Sequence, residues 1–229
     1  MLYALALKLA SRFGRTETLV EFLGKDLGLS VSDKIKKYLL DEENPHFNYD
    51  LLGVLKADTA FFYIDADEEM PEASEFIKFA KEMGAIPAYA YLGDVGDSVT
   101  GDKKAQKFED AFLNELIDEL KKDGFLAIAY MPTRNTQEQL SRVIKLCRKY
   151  GLFEISGEDI NSPRQSFICK ALENPMYSHL REATYALIGH EKEASVDVSR
   201  SMFSDETKAS YPALSERVKL YAALGGYKE

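Results

Sequence analysis

The chain has few of the residues that stabilise small secreted proteins or that mark common catalytic classes. Its 229 residues include two cysteines, Cys147 and Cys169, so we do not expect a disulfide framework. Cys147 falls within a helical pattern, which predicts a small buried apolar side chain. The Cys-x-x-Cys, Gly-x-Ser-x-Gly, P-loop and dinucleotide-binding signatures are absent. These absences argue against the enzyme classes that depend on those motifs.

Long apolar runs and an excess of positive charge are also missing. No apolar stretch approaches the roughly 18 residues that a membrane span needs. The net charge is −9 and the isoelectric point is near 5.0, so we expect no non-specific binding to nucleic acid or to an anionic membrane. The apolar first ten residues lack a basic leader and a cleavage site, which is atypical of a signal peptide. We therefore expect a cytoplasmic protein.

The pattern of apolar residues divides the chain into a helical start and an α/β remainder. In the first fifty residues, glycines and capping residues predict three short helices, the last of them from Lys34 to Leu40. We expect a helical region at 1–50, an α/β region at 51–203 and a carboxyl-terminal helix at 204–229. Ser204 is the expected cap of that last helix, which should run to Leu224.

Strands alternate with helices between these limits, which predicts β-α-β units and a mainly parallel sheet. Helices are expected from Glu72 to Met83, from Lys103 to Lys122, and from a capping box at Thr136 and Gln139 to Tyr150. The predicted strands are Thr59–Ile64, Ile86–Tyr91, Phe125–Tyr130, Phe153–Ser156 and, as a fifth, Ala186–Gly189.

The most informative stretch directly follows the strand that ends at Ser156. Its sequence is Gly-Glu-Asp-Ile-Asn-Ser-Pro-Arg, residues 157–164. A glycine permits a sharp turn after the strand, and Asp159 then lies at the carboxyl end, where α/β folds place their chemistry. The order Gly-x-Asp-x-(His/Asn)-Ser-Pro resembles the last metal motif of the PHP (polymerase and histidinol phosphatase) family of metal-dependent phosphoesterases.

The resemblance covers roughly residues 50–200 and implies a partial PHP-type (β/α) barrel. The family usually has Gly-Ser-Asp-x-His in its last motif and a histidine ligand after an earlier strand, where this chain has Asn161 and Tyr91. The family's initial His-x-His motif is absent, and the chain has three histidines in all. We therefore expect the carboxyl-terminal portion of a PHP protein, as a shortened chain, one half of a split gene or a relic.

Under this resemblance, Asp159 is the expected metal ligand, for Mn²⁺, Zn²⁺ or Mg²⁺ that this chain has either kept or lost. Asn161 could add a neutral ligand or cap the following turn, and Asp159 could instead be a turn residue. Asp94 is the best second carboxylate, at the start of a long acidic loop after a predicted strand. His190 follows the predicted fifth strand and could act as acid or base, or be structural.

The basic candidates would hold a phosphate group. Arg164 and Arg134 could bind it through paired hydrogen bonds, and Lys103 could do so at the start of a helix. The alternatives are surface salt bridges for the arginines and a solvated loop around Lys103. Tyr91 could donate a hydrogen bond to substrate, although packing is the commoner role of a tyrosine at a strand end.

Two functions are consistent with these residues. The first is metal-dependent hydrolysis of a phosphate ester, with a phosphorylated small molecule or nucleotide as substrate. The second is a non-catalytic module that binds an anionic small molecule or a separate amino-terminal half. An incomplete barrel would expose sheet edges, so self-association into a homo-oligomer is also expected.

Overall fold

The computed structural model describes residues 1–57, 67–94, 107–158, 160, 163–164 and 166–228. The predicted strand Thr59–Ile64 and three candidate site residues, Lys103, Asp159 and Asn161, lie outside these residues. Within them, the chain divides into two compact units. The first contains 1–57, 67–69, 160, 163–164 and 166, and the second contains 70–94, 107–158 and 167–228.

The first unit is a small helical bundle. Its buried residues come from all four of its α-helices and include Leu9, Leu19, Leu39 and Leu51. A short π-helical turn, Phe22–Asp26, continues the second helix. The four helices are α1 (Leu2–Phe13), α2 (Glu17–Glu21), α3 (Asp33–Leu40) and α4 (Phe47–Ala57).

The second unit contains a parallel sheet of three short strands between helices. Its strands are β1 (Ala88–Ala90), β2 (Ala127–Tyr130) and β3 (Phe153–Ser156). Its helices are α5 (Ala73–Glu82), α6 (Leu113–Asp123), α7 (Gln137–Tyr150), α8 (Ser178–Ala194), α9 (Asp205–Ser210) and α10 (Leu214–Gly225).

The strands lie side by side in chain order, and both pairings are parallel. Ala127 of β2 is opposite Ala88 on one side and Phe153 on the other, and Tyr130 is opposite Ser156. All three strands therefore end at the same edge of the sheet. The predicted parallel sheet is confirmed for these strands.

Each face of the sheet packs against helices. On one face, Ile128 and Tyr130 pack in a core that α5, α6 and α7 complete. On the other face, Ala127 and Phe153 pack against α8 and α10. The described residues thus form a mixed α/β structure, mostly helical, with a small open sheet; they do not show a complete barrel.

Local signals predicted several elements well. Strand β3 has the predicted bounds, and α7 begins with the predicted capping box, in which Thr136 and Gln139 bind each other's backbone N–H. Cys147 is fully buried in α7, and both cysteines are free, as expected. These elements depend on short-range hydrogen bonds and on apolar spacing, both of which are visible in the sequence.

Two predictions about the carboxyl-terminal third are wrong. Residues Ala186–Gly189 are not a strand but part of the 17-residue helix α8, in which Ala183, Ala186 and His190 are buried at helical spacing. Ser204 does cap a helix, but that helix ends at Ser210 and a new one begins at Leu214. Pro212 lies between them and lacks the N–H that a continuous helix requires.

Helices α8 and α10 approach so closely that two positions have room only for glycine. A Cβ atom at Gly189 would lie 1.9 Å from the carbonyl oxygen of Tyr221, and one at Gly225 would lie 1.9 Å from that of Tyr185. Real Cβ atoms do not make such contacts, so the helices would have to separate. This reciprocal contact sets the close spacing of the two helices. No helix in the described parts of the chain has both the length and the apolarity of a membrane span.

We expect Gly189→Ala to lower the free energy of unfolding by about 2–3 kcal/mol, because the added methyl group forces two packed helices apart. The control is Gly53→Ala in α4, where a Cβ atom would meet nothing within 4 Å. That control should stabilise the chain by about 0.5–1 kcal/mol, since alanine favours helix. Urea unfolding of both variants checks this, and equal stability of the two would contradict the close contact.

Candidate functional site

The candidate site is the edge of the sheet at which the three strands end. Residues 91–94 follow β1, residues 131–136 follow β2, and Gly157 with Glu158 follows β3. Chain segments at such an edge are where open α/β sheets bind ligands. The polar contacts within these segments therefore decide which groups remain free to bind a ligand.

Glu109 organises the segment after β1. Its side chain is 1% exposed and lies in a 3₁₀ turn, Glu109–Phe112, immediately before α6. Its carboxylate accepts hydrogen bonds from the Tyr89 hydroxyl at 2.5 Å and from the backbone N–H groups of Leu92 at 2.7 Å and Gly93 at 2.6 Å. Burial, followed by the contact with Glu109, raises the pKa of Tyr89 well above its usual value. This carboxylate is used to fix the loop.

Asp110 makes a second set of contacts with the same loop. It accepts from the Tyr91 hydroxyl at 2.6 Å, the Gln139 side-chain amide at 2.6 Å and the Asp94 N–H at 3.0 Å. Burial alone raises the pKa of Asp110, but these hydrogen bonds and the nearby Arg142 outweigh it, so that the net pKa is lowered. Asp110 is thus held as an anion by groups of the chain itself.

Two of the candidate residues are part of this network. Asp94 Oδ1 accepts from the backbone N–H of Phe108 at 2.7 Å and, more weakly, from that of Asp110 at 3.4 Å. Tyr91 is buried in the core and donates to Asp110. Burial, then the contact with Asp110, raises the pKa of Tyr91 far above the usual value for a tyrosine. The structure therefore gives both residues contacts that shape the loop after β1.

The segment after β2 has polar atoms without partners. Asn135 is 7% exposed, and its Nδ2 donates to the carbonyl oxygen of Leu92 at 2.8 Å. Across the described chain, no group lies within hydrogen-bonding reach of Asn135 Oδ1 or of Arg134 Nε, although both atoms are buried. Leaving such atoms unpaired costs about 1–3 kcal/mol each, which an external partner would relieve. Arg134 lies at the sheet edge, as the sequence predicted.

Glu158 connects the segments after β2 and β3. Its carboxylate accepts from the hydroxyl group of Thr133, and more weakly from the Thr133 backbone N–H at 3.4 Å and from Cys169 Sγ at 3.3 Å. The start of the Gly-Glu-Asp motif thus adjoins the turn that carries Arg134. Asp159, the next residue, is outside the described part of the chain.

A cluster of three ionisable groups lies beside β3. The Tyr130 hydroxyl is 2.8 Å from Glu154 Oε2, and His179 Nε2 is 3.1 Å from the same oxygen and 3.0 Å from the hydroxyl. Burial, followed by the charge of Glu154, raises the pKa of Tyr130. The cluster joins two strands to the first turn of α8.

His190 does not lie at a strand end, because the expected fifth strand is helix. It lies in α8, and its Nδ1 accepts a hydrogen bond from the backbone N–H of Met202 at 3.1 Å. Burial lowers the pKa of His190. A hydrogen bond with the Gly84 backbone opposes this shift but does not cancel it. Gly84 precedes β1, so His190 lies near the start of that strand, away from the carboxyl edge.

Arg164 belongs to the first unit and pairs with a carboxylate there. Its Nη2 donates to Asp50 Oδ2 at 2.8 Å and its Nε to Asp50 Oδ1 at 3.3 Å, while its guanidinium lies 4.1 Å from the ring centre of Tyr38. The hydrogen bonds with Asp50 raise the pKa of Arg164. This is the salt bridge that the sequence left open as the alternative to phosphate binding.

The two expected metal ligands, Asp159 and Asn161, lie outside the described residues. Within the described residues, no three His, Cys, Asp or Glu side chains are grouped to hold a metal ion. Asp94 already accepts from backbone N–H groups. No protein-family model, curated protein or solved structure matches the chain.

Sequence reasoning missed Glu109, Asp110, Asn135 and the cluster around Glu154. One signal was present: Glu154 is an acidic residue inside an otherwise buried strand, which requires a buried partner. Glu109 and Asp110 gave no such signal, since they lie within a predicted helix where acidic residues are ordinary.

We expect Tyr91→Phe to raise the pKa of Asp110, because it removes a hydrogen bond to the charged carboxylate. A depressed folded-state pKa stabilises the fold above the unfolded value of about 3.9, and this stabilisation is lost as pH falls through the folded-state pKa. The variant should therefore show a weaker dependence of stability on pH below about 4. Carboxyl NMR titration and unfolding at pH 2–6 test this, with Tyr3→Phe as control; an unchanged Asp110 titration would refute it.

Proposed function

We propose that the chain binds a phosphorylated small molecule at the carboxyl edge of its parallel sheet, as a domain of the PHP phosphoesterase type. One observation carries the proposal: Arg134 places a partly buried guanidinium at that edge without a partner for its Nε. The ion-paired arginines of the described residues are Arg164 and Arg200. An oxyanion would supply the acceptor that Arg134 lacks.

The arrangement of the edge supports this proposal. Arg134 follows β2, and the Thr133–Glu158 contact holds its turn next to the segment after β3. Asn135, also in that turn, is fixed by Leu92 after β1. A ligand at Arg134 would therefore adjoin all three strand ends, where such folds bind substrates.

The sequence order supports the relation to the PHP family. The helix α7, the strand β3 and the Gly-Glu-Asp-Ile-Asn-Ser-Pro motif follow one another as in the family's last segment. In the proposed complex, Arg134 binds and orients the phosphate oxygens, and Asn135 Oδ1 accepts from a donor group of the ligand or of a bound water. No metal-assisted step is assigned, since the expected ligands Asp159 and Asn161 lie outside the described residues.

We expect Arg134→Met to weaken binding of glycerol phosphate about tenfold or more, since a hydrogen bond to a charged group contributes about 1.5–3 kcal/mol. Isothermal titration calorimetry measures the affinity. Arg134→Lys should lose part of the affinity, because an ammonium group cannot make the paired contact. Arg148→Met, which alters an exposed arginine of α7, is the matched control. Equal affinity of wild type and Arg134→Met would end the proposal.

The PHP resemblance implies that the bound phosphate ester is hydrolysed; the second candidate is a module that binds the same ligand without hydrolysing it. The observation in its favour is that Asp94, Glu109 and Asp110, the acidic residues near the end of β1, accept hydrogen bonds from the chain's own N–H and O–H groups. Each such hydrogen bond occupies a lone pair of the carboxylate that would otherwise be available to a cation. A site of this kind can hold a ligand without activating water.

Metal content and turnover separate the two candidates. A phosphoesterase should retain Mn²⁺ or Zn²⁺ after incubation and gel filtration, lose it in Asp159→Ala, and hydrolyse p-nitrophenyl phosphate. A binding module should retain no stoichiometric metal and release no phosphate, yet still bind glycerol phosphate through Arg134. Elemental analysis and phosphate release on the same preparations give the answer. Retained metal that persists in Asp159→Ala would refute the assignment of that residue as a ligand.

A further inference from the structure

A second arginine, remote in sequence from the proposed site, is buried and forms no ion pair with any of the described residues. Arg217 of α10 is 8% exposed. Its Nη1 donates to the carbonyl oxygen of Met202 at 3.1 Å, and its guanidinium lies 5.0 Å from the ring centre of Phe203. Its Nε is buried and has no hydrogen-bond partner among the described residues. An unpaired buried cation is costly, and burial lowers the pKa of Arg217 accordingly.

The Nε side of this guanidinium has no hydrogen-bond partner among the described residues. It is the side through which an arginine donates two parallel hydrogen bonds to one oxyanion. Arg164 shows the geometry within the same chain: its Nε and Nη2 donate to the two oxygens of Asp50. In Arg217 the Nη1 is taken by Met202, and the Nε side lacks such a carboxylate. This side matches a planar carboxylate or one face of a phosphate group.

The start of α10 adds a second feature that favours an anion. Its N-cap residue, Ala213, has no side chain that can bind the first backbone N–H groups. Arg217 is the fourth residue of the helix, and helical side chains point back toward the amino terminus. The guanidinium and the positive end of the helix dipole both favour an anion. The acidic residue of this turn, Glu216, is exposed.

We propose that Arg217 and the first turn of α10 form a binding site for a small oxyanion, a carboxylate or a phosphate. The site lies in the carboxyl-terminal helices and is independent of Arg134. Binding would pair Nε, supply the missing charge and fix α10 against the segment that contains Met202. The proposal therefore predicts that such anions stabilise the fold through Arg217.

The first test is thermal unfolding in formate or phosphate at constant ionic strength. It uses Arg134→Met as the background, so that the other arginine cannot contribute. Once the site is saturated, each tenfold rise in anion concentration should raise the midpoint by roughly 3–5 °C. Adding Arg217→Met should abolish this increment, and adding Arg181→Met, which alters an exposed arginine of α8, should preserve it. Equal increments in both double variants would overturn the proposal.

The second test uses the wild-type chain, so it does not depend on whether an Arg217 variant folds. The Nε–H signal of Arg217 in the NMR spectrum of the wild-type chain should shift saturably on titration with formate or phosphate. Its assignment follows from its absence in Arg217→Lys or, if that variant does not fold, from triple-resonance spectra. A stronger response to formate identifies a carboxylate ligand, and a stronger response to phosphate identifies a phosphate. A signal that does not shift with either anion rules the site out.

Discussion

The buried carboxylate of Glu109 is the interaction on which the carboxyl edge of the sheet depends. It binds the hydroxyl group of Tyr89 and two consecutive backbone N–H groups after β1, so that one side chain fixes the direction in which the chain leaves the strand. Asp110 then joins this loop to Gln139 at the start of α7. The turn after β2 contacts this loop through Asn135, whose side-chain amide donates to the carbonyl oxygen of Leu92.

The charged side chains differ in whether the chain itself supplies hydrogen-bond partners for them. The carboxylates of Glu109 and Asp110 each accept three hydrogen bonds from groups of the chain, and Arg164 has a carboxylate partner in Asp50. Arg134 and Arg217 are the exceptions within the described residues, since each has a buried Nε without an acceptor. Unpaired buried donors are rare in folded proteins because they lose hydration without compensation. The two proposed anion sites rest on these unpaired donors.

Predictions from the sequence were correct for elements that depend on neighbouring residues. They were wrong where packing between distant parts of the chain decides the structure. The capping box of Thr136 and the strand Phe153–Ser156 were predicted correctly because each depends on neighbouring residues. The tetrapeptide 186–189 is as apolar as a strand, and only its place in a longer helical period shows that it is helix. Within the candidate site, Arg134 was predicted at a strand end from its neighbours in the sequence. The partner of Arg164 was not predicted, because it lies more than a hundred residues away in the sequence.

The sequence by itself determined the parallel β-α-β order, the positions of the three observed strand ends and the acidic character of the chain. Those properties follow from apolar periodicity and composition, which are local or additive. Only the tertiary structure decided which charged groups are already paired. Glu109 and Asp94 hold a loop, His190 lies within a helix, and the Nε of Arg134 has no acceptor among the described residues. Pairing depends on distances between residues far apart in the chain, and no local pattern specifies those distances.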